Sequence, residues 1–139
     1  MRHRAVIFED DALVRFTLWK FFDDRGYEVI TFPEPGLCPL HVVQQCPCPA
    51  ETTCTDLIIS DVNMSRTSGI DFLEGLIQKG CRQRHIAIMS GNFSEADLTR
   101  ASRLGCTTFT KPLARETLPA WVEQAEREIP PERKLFDWS

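Results

Sequence analysis

Residues 57–63 read Leu57-Ile58-Ile59-Ser60-Asp61-Val62-Asn63. The apolar run is short, continuous and rich in β-branched side chains, which reads as a strand buried on both faces of a parallel sheet. Asp61 closes it. In an open α/β sheet, ligands bind beyond the carboxyl ends of the strands, so a carboxylate there is placed for chemistry rather than for packing. Three other strand-like runs end in polar groups of the same kind. Ala5-Val6-Ile7-Phe8 leads into Glu9-Asp10-Asp11, Ile86-Ala87-Ile88-Met89 into Ser90-Gly91, and Thr108-Phe109-Thr110 into Lys111-Pro112.

These four ends make up a phosphoryl-transfer set. The Asp61 carboxylate can act as a nucleophile and form an acyl phosphate. Such an acceptor needs its charge neutralised. Mg2+, a hard cation that takes one or two carboxylates with waters and phosphate oxygens, suits Asp10 and Glu9. Lys111 would bring a point positive charge to the phosphoryl oxygens, and the Ser90 hydroxyl could donate a hydrogen bond to one of them. Pro112 restrains the backbone beyond the lysine.

With these residues in order, the chain resembles the receiver domain of bacterial two-component response regulators over about residues 4–128. In that family an acidic pair follows the first strand, the phosphoacceptor Asp the third, Ser or Thr the fourth, and Lys-Pro the fifth. Ser60 to Gly69 is similar to the family's Asp-x-x-Met-Pro-x-x-x-Gly stretch, with Ser65 at the usual proline. Val14-Arg15 resembles the family's first helix and sets the acidic pair as Glu9 and Asp10, with Asp11 flanking. The resemblance implies a CheY-like, flavodoxin-like (βα)5 three-layer sandwich with a five-stranded parallel sheet in order 2-1-3-4-5. It also implies the metal ligands: Asp10 and Asp61 directly, the Asn63 backbone carbonyl, and Glu9 through water. The switch is Ser90 plus an aromatic three positions before the lysine. Here Gly105 to Lys111 is one residue shorter than usual, so that position holds Thr108, and Phe109 reads as core.

The remaining sequence follows the same alternation of short strands and amphipathic helices. A first helix over about Ala12–Arg25 carries Leu13, Phe16 and Phe21 near helical spacing, and Gly26 stops it. Tyr27–Phe32 reads as the second strand. A helix from near Ser68 to Gly80 buries Ile70, Leu73, Leu76 and Ile77. Ser94-Glu95-Ala96-Asp97 opens another with an N-cap and early acids, its face formed by Leu98, Ala101 and Leu104 and its end at Gly105. The last helix holds Leu118, Trp121, Val122 and Ala125.

The chain has 139 residues, 42% of them hydrophobic and 26% charged, enough for one core. A net charge of -4 and the lack of any basic run argue against nucleic acid as a partner. No apolar stretch approaches the ~20 residues of a membrane span, and the first apolar run is too short for a signal peptide, so a cytoplasmic location is expected. Residues 1–129 are expected to form the receiver. Residues 130–139, opened by Pro130-Pro131, form a tail too short for an output domain, whose Leu135, Phe136 and Trp138 fold back on it. The expected partners are a sensor histidine kinase or histidine phosphotransfer protein and a downstream protein target, and the resemblance leaves room for a homodimer.

One region stands outside this frame. Between about residues 35 and 55, an insertion around the second helix places Cys38, Cys46, Cys48 and Cys54 among prolines. They could hold a metal or sense redox state, but Cys46-Pro47-Cys48 lacks the two-residue gap of common zinc sites, and small reduced thiols in a long loop are the simpler reading. A receiver-like scaffold carrying a metal- or redox-sensing loop is therefore one alternative function. The other is an aspartyl-phosphate phosphatase of the haloacid dehalogenase type. It fits less well, because that family requires a second Asp where this chain has Asn63.

Overall fold

The computed structural model describes residues 2–33, 52–64, 68–78 and 85–135. Within them, β1 (Arg4–Phe8), β2 (Glu28–Phe32), β4 (Leu57–Asp61), β5 (Ile86–Ser90) and β6 (Thr107–Thr110) form one parallel sheet in the order β2-β1-β4-β5-β6. Counting only its own strands, that order is 2-1-3-4-5, as the resemblance implies. Between them run α1 (Ala12–Asp24), α2 (Gly69–Gln78), α3 (Glu95–Leu104) and α4 (Thr117–Glu128). The helix expected in the insertion, together with Cys38, Cys46 and Cys48, lies outside the described residues.

Side chains alternate across a strand, so each central strand feeds two cores. Val6, Phe8, Ile58, Ile86 and Ile88 pack with Ile70, Leu73 and Leu76 of α2 and Ala101 of α3. Ala5, Ile7, Leu57, Ile59, Ala87 and Met89 face Leu18 and Phe22 of α1 and Leu118, Val122 and Ala125 of α4. Burial on both faces explains why the runs Ala5–Phe8 in β1, Leu57–Ile59 in β4 and Ile86–Met89 in β5 are apolar without a break, and each such Leu or Ile contributes about 1.5–3 kcal/mol by leaving water.

Helix α1 corrects one expectation. Leu13 and Phe16 are 74% and 58% exposed, and the buried row is Leu18 and Phe22, flanked by Val14 and Phe21. The helix is apolar around most of its circumference, so periodicity alone admits two faces. Docking on the sheet decides between them, and Asp11 caps the helix, accepting from the backbone N–H of Leu13 and Val14. In α3, Ser94 and Asp97 form a reciprocal capping box and Gly105 closes the helix at φ 76°. Leu98, expected on its apolar face, is exposed.

Two short strands extend the expected plan. β3 (Thr52–Thr53) pairs in parallel with β7 (Lys134–Leu135), which brings the C-terminal segment back onto the domain. Arg133 grips both carboxylate oxygens of buried Asp56 at 2.7 and 2.6 Å, and Asp56 also accepts from the Arg4 amide at 3.0 Å. Phe136 and Trp138 lie outside the described residues.

Candidate functional site

Parallel register brings the four strand ends together. Phe8 pairs with Ser60 and Asp61 with Met89, so Glu9, Asp61 and Ser90 emerge side by side at the C-terminal edge, and β6 adds Lys111 next to Ser90. The Lys111 amide donates to the Ser90 carbonyl at 2.8 Å, and the Lys111–Pro112 peptide bond is cis. Glu9, Asp10 and Asp61 each offer a carboxylate oxygen within 4.8 Å of the others. Asp10 is exposed, Asp61 nearly buried and Glu9 fully buried.

The Lys111 ammonium reaches into this cluster, 3.0 Å from Glu9 Oε2 and 3.4 Å from Asp61 Oδ2. Burial pushes the Glu9 carboxyl above the usual carboxylate range, and the hydrogen bond from Lys111 only partly offsets it. Burial alone would pull the lysine down. The hydrogen bond and charge of Glu9, with Asp61 behind them, outweigh that and hold Lys111 above its ordinary value, firmly cationic at neutral pH.

Gly69 fixes the position of the Asp61 main chain. Its amide donates to the Val62 carbonyl at 2.8 Å, and a Cβ at this position would collide with the Asp61 carbonyl oxygen. Helix α2 therefore begins against the end of β4 with no room for a side chain. Asn63 lies two residues after Asp61, with its amide nitrogen 3.4 Å from Asp61 Oδ1. The buried Ser90 hydroxyl accepts from the Asn92 amide at 3.1 Å, a contact that leaves its proton available to a ligand.

The two residues weighed for the switch differ in burial. Thr108 is exposed, while Phe109 is buried on the α4 side, where its ring meets Trp121 edge to face at 5.6 Å between centroids. Cys54, expected in the cysteine loop, is buried in the core that α2 covers. Sequence reasoning assigned no role to Asp11 as the α1 cap, to Gly69 as the contact with Asp61, or to Arg15, which binds the Glu9 carbonyl at 2.8 Å. Asp11-Ala12-Leu13-Val14, an acid ahead of an apolar helical run, was a readable capping signal; the other two roles depend on contacts that sequence spacing does not show.

Three carboxylates beside a cationic amine form a hard-oxygen pocket, a donor set suited to a small divalent cation such as magnesium. With a nucleophilic carboxylate and a buried hydroxyl, the same pocket can receive a phosphoryl group. The chain is 33% identical over 100 residues to the transcriptional regulatory protein PdtaR of Mycobacterium tuberculosis, 72% of this chain and 44% of that protein. It is 28% identical over 118 residues to a probable transcriptional regulatory protein of Picosynechococcus, 84% of this chain and 46% of that one. The chain thus spans under half the length of these curated relatives. Among solved structures, the chemotaxis protein CheY4 of Vibrio cholerae superposes with a TM-score of 0.68 at 24% identity, covering 90% of this chain and 99% of that one. A CheY-like receiver from Methanospirillum hungatei gives 0.71 at 18% identity, covering 92% and 97%. The response regulator receiver domain profile matches residues 5–123. This chain belongs to the response regulator receiver domain family.

Proposed function

We propose that this receiver accepts a phosphoryl group on Asp61 from a phosphohistidine of a sensor kinase or histidine phosphotransfer protein, and that the phosphorylated form binds a downstream protein differently. The observation that carries this reading is the Lys111 ammonium lying against Asp61 and Glu9 inside the three-carboxylate pocket. An Asp61 oxygen attacks phosphorus, the P–N bond of the donor breaks, and the imidazole takes that electron pair and leaves neutral, keeping the proton already on its other ring nitrogen. Lys111 and the Ser90 hydroxyl hold the charge that builds on the phosphoryl oxygens. Asp10, Asp61 and the Asn63 carbonyl, with Glu9 behind them, would hold Mg2+, which when bound offsets the negative charge of acceptor and donor. Water later cleaves the acyl phosphate, and Asn63 and Asn92 flank its approach. The chain needs no further catalyst for either step.

The rim of the pocket suits a protein donor. A cavity of about 490 Å³ beside Lys111 is lined by Leu13, Val14, Leu18, Met89 and Leu113, and the exposed Leu13 and Phe16 continue it along α1. A solvent-facing apolar row next to the acceptor is a surface a partner helix would cover. Helix length gives no membrane span among the described residues, and a cytoplasmic setting fits the proposed partners. Intact-mass analysis after incubation with acetyl phosphate tests the reading. One phosphoryl adduct is expected, lost in Asp61→Ala and without magnesium; an adduct that survives Asp61→Ala overturns it.

A further inference from the structure

Glu9, Asp10 and Asp61 repel one another, yet the loop after β1 keeps two of these carboxylates turned toward the third. Asp11 caps α1 and donates its own amide to Glu9 Oε1 at 3.1 Å. Arg15, one turn into α1, donates from Nη1 to the Glu9 carbonyl at 2.8 Å and to the Asp10 carbonyl at 3.4 Å. A guanidinium so near three acids would ordinarily pair with a carboxylate, the geometry its planar fork favours. Lys111 does pair with two of them. Arg15 instead takes the main-chain oxygens behind the loop, and among the described residues no ion pair joins it to the three acids.

We propose that Arg15 is a positioning residue of the divalent-cation site: it ties the Glu9–Asp10 backbone to α1 from behind, so the carboxylates stay turned into the pocket without being occupied by its charge. The inference rests on the magnesium reading above. Residues that orient ligands from outside typically change metal affinity by about 10–100-fold when removed. A purely electrostatic role predicts the opposite sign, because deleting a nearby positive charge should tighten a divalent cation by a few-fold. The two roles therefore separate in one titration.

Calorimetric titration of the full chain with magnesium chloride, in parent, Arg15→Gln, Arg15→Lys and Asp10→Asn forms, makes the test. Arg15→Gln is expected to raise the magnesium Kd about tenfold. Arg15→Lys, which keeps the charge but puts a flexible ammonium in place of the rigid guanidinium whose Nη1 reaches both carbonyls, falls between, and serves alone if Arg15→Gln does not fold. The urea midpoint of metal-free protein should change little, a separation that a general packing defect would not give. An Arg15→Gln Kd equal to or below the parent value, or an Arg15→Lys Kd equal to it, overturns the inference. A parent that binds no magnesium, or binds it unchanged after Asp10→Asn, overturns the metal reading instead.

Discussion

Gly69 and Gly75 lie on the same helix, and the structure predicts opposite effects for the same substitution. A Cβ at Gly69 would overlap the Asp61 carbonyl oxygen and lie 2.8 Å from Ser60 Oγ and 2.9 Å from the Asp61 carbonyl carbon. Comfortable carbon contacts begin near ~3.5 Å, so the start of α2 or the end of β4 must move by more than half an ångström. Both are backbone, and β4 is paired on both sides. Overpacking against so rigid a wall costs about 1–3 kcal/mol, and the upper end is expected for Gly69→Ala. At Gly75 nothing lies within 4 Å, so Gly75→Ala gains the helix propensity difference of about 0.5–1 kcal/mol. The two variants should differ by about 3.5–4 kcal/mol, or about 1–4 M in urea midpoint at the usual slope for a small domain. Urea unfolding followed by circular dichroism measures this directly, and acetyl phosphate labelling should slow in Gly69→Ala alone, because only there is Asp61 displaced. A Gly69→Ala protein as stable as the parent, or a Gly75→Ala protein less stable than Gly69→Ala, would refute the reasoning.

Arg133→Met strands the buried Asp56 carboxylate and should cost about 3–5 kcal/mol, whereas a free tail predicts no shift in the urea midpoint. Asp10→Asn removes one of three mutually repelling carboxylates and should stabilise metal-free protein by about 1 kcal/mol at low salt, with the gain shrinking as salt is added. Burial pushes the Cys106 thiol up to about 11. Its thiolate fraction at pH 8 should then be about 100-fold below that of an exposed cysteine, and site-resolved alkylation should be slower in proportion. Because the folded form holds this proton more tightly than the unfolded chain, its contribution to stability is complete below the ordinary thiol range and lost as pH rises through that range to about 11. Equal alkylation of native and denatured protein at Cys106 would contradict both statements.

The sequence determined the sheet and the edge at which its strand-end polar residues gather. Unbroken apolar runs such as Leu57-Ile58-Ile59 can be satisfied only by burial on both faces, and in a parallel sheet the polar residues that end them must meet at one edge. Asp61, Ser90 and Lys111 were legible for that reason, as were Ser94 and Gly105, whose roles depend on neighbours in sequence. Tertiary structure decided what depends on neighbours in space. The face that α1 buries was ambiguous because Leu13, Phe16, Leu18 and Phe22 are all apolar, and only docking on the sheet selects the last two. Glu9 reads in sequence as one acid among three, but the register of β1 against β4 buries it beside Lys111. Arg133 gripping Asp56, 77 residues away, and Gly69 pressed against the Asp61 carbonyl have no periodicity to announce them. Hydrophobic pattern and capping are local and can be read along the chain; close approach and ion pairing between distant segments exist only once the chain has folded.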